Sequence, residues 1–99
     1  MTTLIVARSQ DLVHAVVATL SADGFAAHGV TADAEAVARL ESGEVTTAVI
    51  GGGVAQDSRE MLKNIAQTRG VPVIDGAMRG RPVEDYVRRE LEPRLSPGA

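Results

Sequence analysis

The chain contains no cysteine and no tryptophan, and it has one tyrosine and one phenylalanine among 99 residues. Without cysteine there are no disulfides, thiolate metal ligands or sulfur nucleophiles, and the redox compartment leaves no trace. With so few aromatics the core is built from Ala, Val, Leu and Ile, and no stacking platform for bases or sugars is expected. Positive charge is in the minority: 13 acidic residues against 10 basic ones give a net charge of -3, which argues against a general nucleic-acid binder. No apolar run approaches the ~20 residues of a membrane span, and Met1 to Ala7 carries no basic leader. The expectation is a cytoplasmic protein without membrane contact and without a cofactor.

What is present is an alternation of short apolar runs and helical patterns. Leu4 to Ala7 reads as a first strand, after which Ser9 and Asp11 offer capping oxygens to a helix with Leu12, Val13, Val16, Val17 and Leu20 on one face. Asp23-Gly24 closes that helix. Phe25 to Val30 is a second strand, weakened by His28 and Gly29 as suits a sheet edge. Thr31 or Asp33 caps a second helix with Ala36, Val37 and Leu40 inward, stopped by Gly43. Thr46 to Ile50 is apolar enough for a strand buried on both faces. Asp57 or Ser58 starts a third helix with Met61, Leu62, Ile65 and Ala66 inward, and Gly70 ends it. Val71 to Ile74 is a fourth strand, whose Pro72 suits a first or edge position. A basic loop, Met78 to Arg81, precedes Pro82, which opens a last helix carrying Val83, Tyr86, Val87 and Leu91 until Pro93 stops it.

Strands alternating with helices imply right-handed crossovers and a parallel sheet. The predicted architecture is a three-layer, doubly wound α/β fold with a four-stranded sheet of order 2-1-3-4 and a C-terminal helix. Residues 1–95 form one domain, small enough that self-association would add useful burial, and 96–99 form a flexible tail.

In such sheets ligands gather beyond the carboxyl ends of the strands, where strand order reverses. There the third strand runs through Ala48-Val49-Ile50 into Gly51, Gly52 and Gly53. The triplet is either a tight strand exit or a loop that lets a ligand approach the backbone, with the following helix start presenting N–H groups to an anion. Arg8, Ser9, Arg79 and Arg81 fall on the same edge and, with the glycines, form a candidate site for a small anion or nucleotide. Asp57 and Asp75 lie close enough to cancel that charge. No catalytic residue can be named: His14 and His28 lack partners at metal or triad spacing, and the serines sit at helix ends, where capping explains them.

Residues 3 to about 78 resemble the receiver domains of bacterial response regulators, which have a flavodoxin-like fold normally of five strands. In that family an acidic pair follows the first strand, the phosphoacceptor aspartate ends the third, Thr or Ser ends the fourth and Lys ends the fifth. The matching places here hold Arg8-Ser9, Gly51-Gly52 and Asp75-Gly76-Ala77, and the fifth strand has no counterpart. Phosphoryl transfer with Mg²⁺ needs carboxylates to hold the cation. The resemblance therefore implies a degenerate, truncated pseudo-receiver, a signalling or protein-binding module that is not phosphorylated on aspartate. Residues 4 to 33 also look similar to the opening of short-chain dehydrogenases. However, Arg8-Ser9-Gln10-Asp11 replaces the glycine fingerprint, and Tyr86 lacks the family's following Lys.

The 2-1-3-4 order places the first helix on one face of the sheet and the second and third on the other. The last helix then either crosses back beside the first or leaves apolar surface uncovered. A missing fifth strand would also expose the fourth as an edge. Val71, Val73 and Ile74, with Val83, Tyr86, Val87 and Leu91, are the candidate interface, for a homodimer or for another protein.

Overall fold

The continuous apolar runs of the chain form the central strands, because a parallel strand covered by helices on both faces has no polar side to show. The computed structural model describes residues 2–76 and 82–95. The basic loop with Arg79 and Arg81 and the tail at 96–99 lie outside the described residues. Four parallel strands, β1 (Thr2–Val6), β2 (Ala27–Val30), β3 (Val45–Ile50) and β4 (Val73–Asp75), are ordered β2-β1-β3-β4. In register, Val6 lies beside Val30 on one side and Ile50 on the other, and Ile50 lies beside Asp75. This is the flavodoxin-like three-layer arrangement that the alternation predicts.

Between the strands run α1 (Gln10–Ala22), α2 (Asp33–Glu41) and α3 (Gln56–Thr68). Gly24, Gly43 and Gly70 follow their ends at φ of 92°, 82° and 71°, the left-handed conformation that lets a helix terminate. Strand β2 begins two residues later than the sequence suggests. Phe25 belongs instead to the turn closing α1, its N–H donating to the Leu20 carbonyl at 2.9 Å while its ring enters the core. Ser9 caps α1 as expected, accepting from the Leu12 N–H at 3.3 Å. The other two caps differ: α2 is entered from Ala32 and α3 from Ala55, neither with a side-chain cap. Asp33 and Ser58 are engaged with each other, as described below.

The alternation of strand side chains divides the core into two layers. On one face Ile5, Ala7, Val49 and Ile74 pack with Val13, Val16 and Leu20 of α1 and with Phe25. On the other, Leu4, Val6, Ala48 and Ile50 pack with Ala36 and Leu40 of α2 and Leu62 and Ala66 of α3.

After Pro82 the chain forms α4 (Val83–Tyr86), which widens into a π turn at Val87–Leu91 and tightens into a 3₁₀ turn at Glu92–Arg94. Pro93 has no N–H to continue an α-helix, and α geometry is already lost ahead of it. This segment crosses back to lie beside α1. Tyr86, Val87, Leu91 and Leu95 are buried in the α1 layer, with Val87 and Leu91 fully so. Arg88 fastens it to the end of α1, its Nε donating to Asp23 Oδ2 at 2.8 Å and Nη2 to Oδ1 at 3.2 Å. The expectation that Tyr86, Val87 and Leu91 present an apolar interface is thereby corrected: their burial takes place within the chain. Among the described residues, no helix is long and apolar enough to cross a membrane.

Candidate functional site

Strand order reverses between β1 and β3, and their carboxyl ends are stitched together. Gly51 N–H donates to the Val6 carbonyl at 2.7 Å, Gly76 N–H to Ile50 at 2.8 Å, and Ala7 N–H to Val30 at 3.2 Å. Gly51 leads into a turn closed by Val54 N–H on the Gly51 carbonyl at 3.2 Å. Gly51, Gly52 and Gly53 thus form the rim of the sheet at the reversal point, where ligands of this architecture sit.

The charged residues of this edge are held by one another. Arg8 donates through Nη1 to the Thr31 carbonyl at 2.8 Å and through Nη2 to Asp33 Oδ1 at 2.6 Å. The other oxygen of Asp33 accepts from Ser58 Oγ at 2.6 Å, so one carboxylate joins the end of β1 to the starts of α2 and α3. The Ser58 hydrogen bond, and after it that of Arg8, holds the Asp33 carboxyl below the ordinary aspartate value. Ser9 is occupied by its cap, and Arg79 and Arg81 fall outside the described residues. Arg8, Ser9 and the glycines do meet at one edge, but Arg8 faces α2 and is already neutralised.

One basic residue escapes notice in the sequence. Arg59, on the first turns of α3, donates through Nη1 to Asp75 Oδ1 at 2.6 Å and through Nη2 to the Gly51 carbonyl at 2.6 Å. Lys63, one turn later, donates to Asp75 Oδ2 at 2.8 Å. The Lys63 hydrogen bond leads in lowering the Asp75 carboxyl, with Arg59 also contributing against the opposing effect of burial. The signal was the i,i+4 spacing of two cations on α3, matched to an aspartate at a strand end. Among the described residues, Asp75 pairs with the cations of α3.

On the α1 face of the same edge lies a half-open cavity of about 290 Å³. Ile5, Ala7, Leu12, Val49, Tyr86 and Leu91 supply apolar walls, and the glycine loop with Gly76 forms its rim. No Asp, Glu, Lys, Arg or His is among its described lining residues. Nor, among the described residues, do three or more His, Asp or Glu side chains gather to hold a metal ion.

Of the expected interface residues, Ile74 is buried on the α1 face, Val71 and Val73 are half-buried against the α3 layer, and Val83 packs partly against the α1 layer. Strand β4 pairs with β3 alone among the described residues.

No family model and no curated protein matches the chain. Its structure is similar to the solution NMR structure of a de novo designed Rossmann 2x3 fold protein, with a TM-score of 0.66 and 12% identity. The match covers 96% of this chain and 74% of the designed one. At that identity the likeness establishes the fold alone: a Rossmann-like parallel α/β domain.

Proposed function

We propose that the chain is a non-catalytic, receiver-like regulatory module that is not phosphorylated on aspartate and works through protein contacts, with a second copy of itself or with another protein. One observation carries the reading. The central strand β3 is followed by Gly51, whose carbonyl accepts from Arg59, at the place where a receiver bears its phosphoacceptor. Arg8, paired with Asp33, stands where a receiver's acidic pair would hold Mg²⁺, so a divalent cation meets a guanidinium there. The contact surface on this reading is the edge of β4. The Ala48 N–H donates to Pro72 and the Gly76 N–H to Ile50, and strand alternation turns the N–H groups of Val73 and Asp75 away from β3. A strand edge left without a partner among the described residues invites pairing. In the alternative of a small anion or nucleotide held by the glycine loop, Arg8, Arg79 and Arg81, Arg8 is already held by Asp33.

The test is native mass by light scattering across concentration, with Val73→Lys as the edge variant and acetyl phosphate with Mg²⁺ as the phosphodonor. The reading expects a dimer, or a complex with a captured partner, that Val73→Lys dissociates without loss of fold, and a covalent mass unchanged by the donor. A monomer at high micromolar concentration that captures no partner, or a phosphoryl group gained at Asp57 or Asp75, counts against it.

A further inference from the structure

We infer that the cavity between the β1–β3 edge and the layer of α1 and α4 is a binding site for a small, uncharged, largely apolar molecule of about one or two fused rings. Its place is the reversal point of the sheet. Its size fits: an apolar cavity of about 150 Å³ admits a benzene ring, and this one encloses about 290 Å³.

The glycine loop gives the second argument. At Gly51 a Cβ would stand 3.2 Å from Ala7 Cβ and 3.3 Å from the Val6 carbonyl oxygen, so the close approach of β1 explains that glycine. Gly53 is different. Its φ lies outside the left-handed region, and a Cβ there would meet nothing within 4 Å. Neither the backbone nor packing among the described residues requires glycine at 53, and its place on the cavity rim leaves open space there.

Charge selects the ligand's chemistry. Arg8 reaches to Thr31 and Asp33 at the start of α2, and Arg59 reaches from α3 to Asp75 and to the outer carbonyls of the loop. Both guanidiniums belong to the layer opposite the cavity. An anion entering the cavity would lose its water and find no counter-charge among the described lining residues, while an apolar ring would lose little. This site is independent of the β4 edge, and dimerisation neither requires nor excludes it.

The experiment is a titration of ¹⁵N-labelled full-length protein with indole, followed by amide shifts, with inorganic phosphate as the charged control. The inference expects saturable shifts at Ala7, Gly51, Gly53 and Gly76 with indole and none at these amides with phosphate. Gly53→Leu, at a position where a Cβ meets nothing within 4 Å, is expected to weaken indole binding by roughly tenfold or more while leaving the melting temperature nearly unchanged, and Gly53→Ala by less. Absence of shifts up to the solubility of indole overturns the inference. So does binding indifferent to both Gly53 variants, or phosphate that titrates the same amides as strongly as indole.

Discussion

Arg59 Nη2 donates to the Gly51 carbonyl at 2.6 Å, so helix α3 reaches back to pin the loop that β3 has just delivered. The Arg59 side chain is only 13% exposed, and the same guanidinium holds the more exposed Asp75. Replacing it by Ala leaves a strand-end carbonyl without its charged donor, while Lys63 keeps Asp75 paired. Arg59→Ala is expected to lower stability by about 1–2 kcal/mol, most of it from the backbone contact, and to speed hydrogen exchange at the Val54 amide. Arg59→Lys is expected to recover only part of this, because an ammonium cannot reproduce the planar fork. Urea unfolding and amide exchange check both.

A second prediction concerns pH. Glu92 lies beside Asp23 and Arg88 where the C-terminal segment meets the end of α1, and its Oε2 is buried without a hydrogen-bond partner. Desolvation first, then the neighbouring Asp23, pushes the Glu92 carboxyl up to about 6 from its ordinary 4.5, and in the protonated form it can donate to Asp23. A raised carboxyl favours the folded state most when it is protonated. That contribution is complete below pH 4.5 and is lost as pH rises through about 6. Asp23, Asp33 and Asp75 are lowered from 3.8 and act oppositely: their contribution is present above that value and lost as pH falls through their folded values. Melting temperature against pH is expected to decline between 4.5 and 6 in the native protein, and Glu92→Gln is expected to flatten that segment.

The parts of this fold legible in the sequence are those that local chemistry dictates. Gly24, Gly43 and Gly70 mark helix ends because a left-handed residue is needed within one turn of the last helical one, and the run from Val45 to Ile50 shows a strand covered on both sides. The illegible parts depend on residues distant in the chain. Asp33 at a helix start reads as a cap, yet Arg8 and Ser58, 25 positions away on either side, claim both its oxygens. Val87 and Leu91 read equally well as surface stripe or core, since periodicity shows that a helix has an apolar face without showing what covers it. Ser9 and the glycine loop share an edge because β1 and β3 both end there, which strand alternation shows, but Arg59 draws its role from a carbonyl and a carboxylate at the ends of two different strands.

Gly29 provides a third prediction. Its place in β2 looks like a weakness from sequence alone, but a Cβ there would collide with Val13 Cγ1 and come within 3.2 Å of Val17 Cγ2, because α1 lies directly on the strand backbone. Gly29→Ala is expected to cost about 1–3 kcal/mol through overpacking. Val13→Ala, a cavity when made alone, is expected to be milder in the Gly29→Ala background than in the native one. A double-mutant cycle in urea reads the coupling, and strict additivity would contradict the contact.

The docking of the C-terminal segment separates two sources of stability. Leu91 is fully buried against the α1 layer, whereas the Arg88 side chain is 51% exposed while it binds Asp23. Removing a buried leucine loses its transfer free energy and leaves a void, together about 2–5 kcal/mol, whereas water screens the ion pair at the surface. Leu91→Ala is therefore expected to lower the unfolding midpoint far more than Arg88→Ala, and to leave the native mass as it is in the unmodified chain. If Leu91→Ala instead changed the mass at constant stability, the segment would be a partner-binding surface and not a part of the core. The buried state of Tyr86 and Val87 beside it favours the first outcome, since side chains at most 6% exposed offer a second chain little apolar surface.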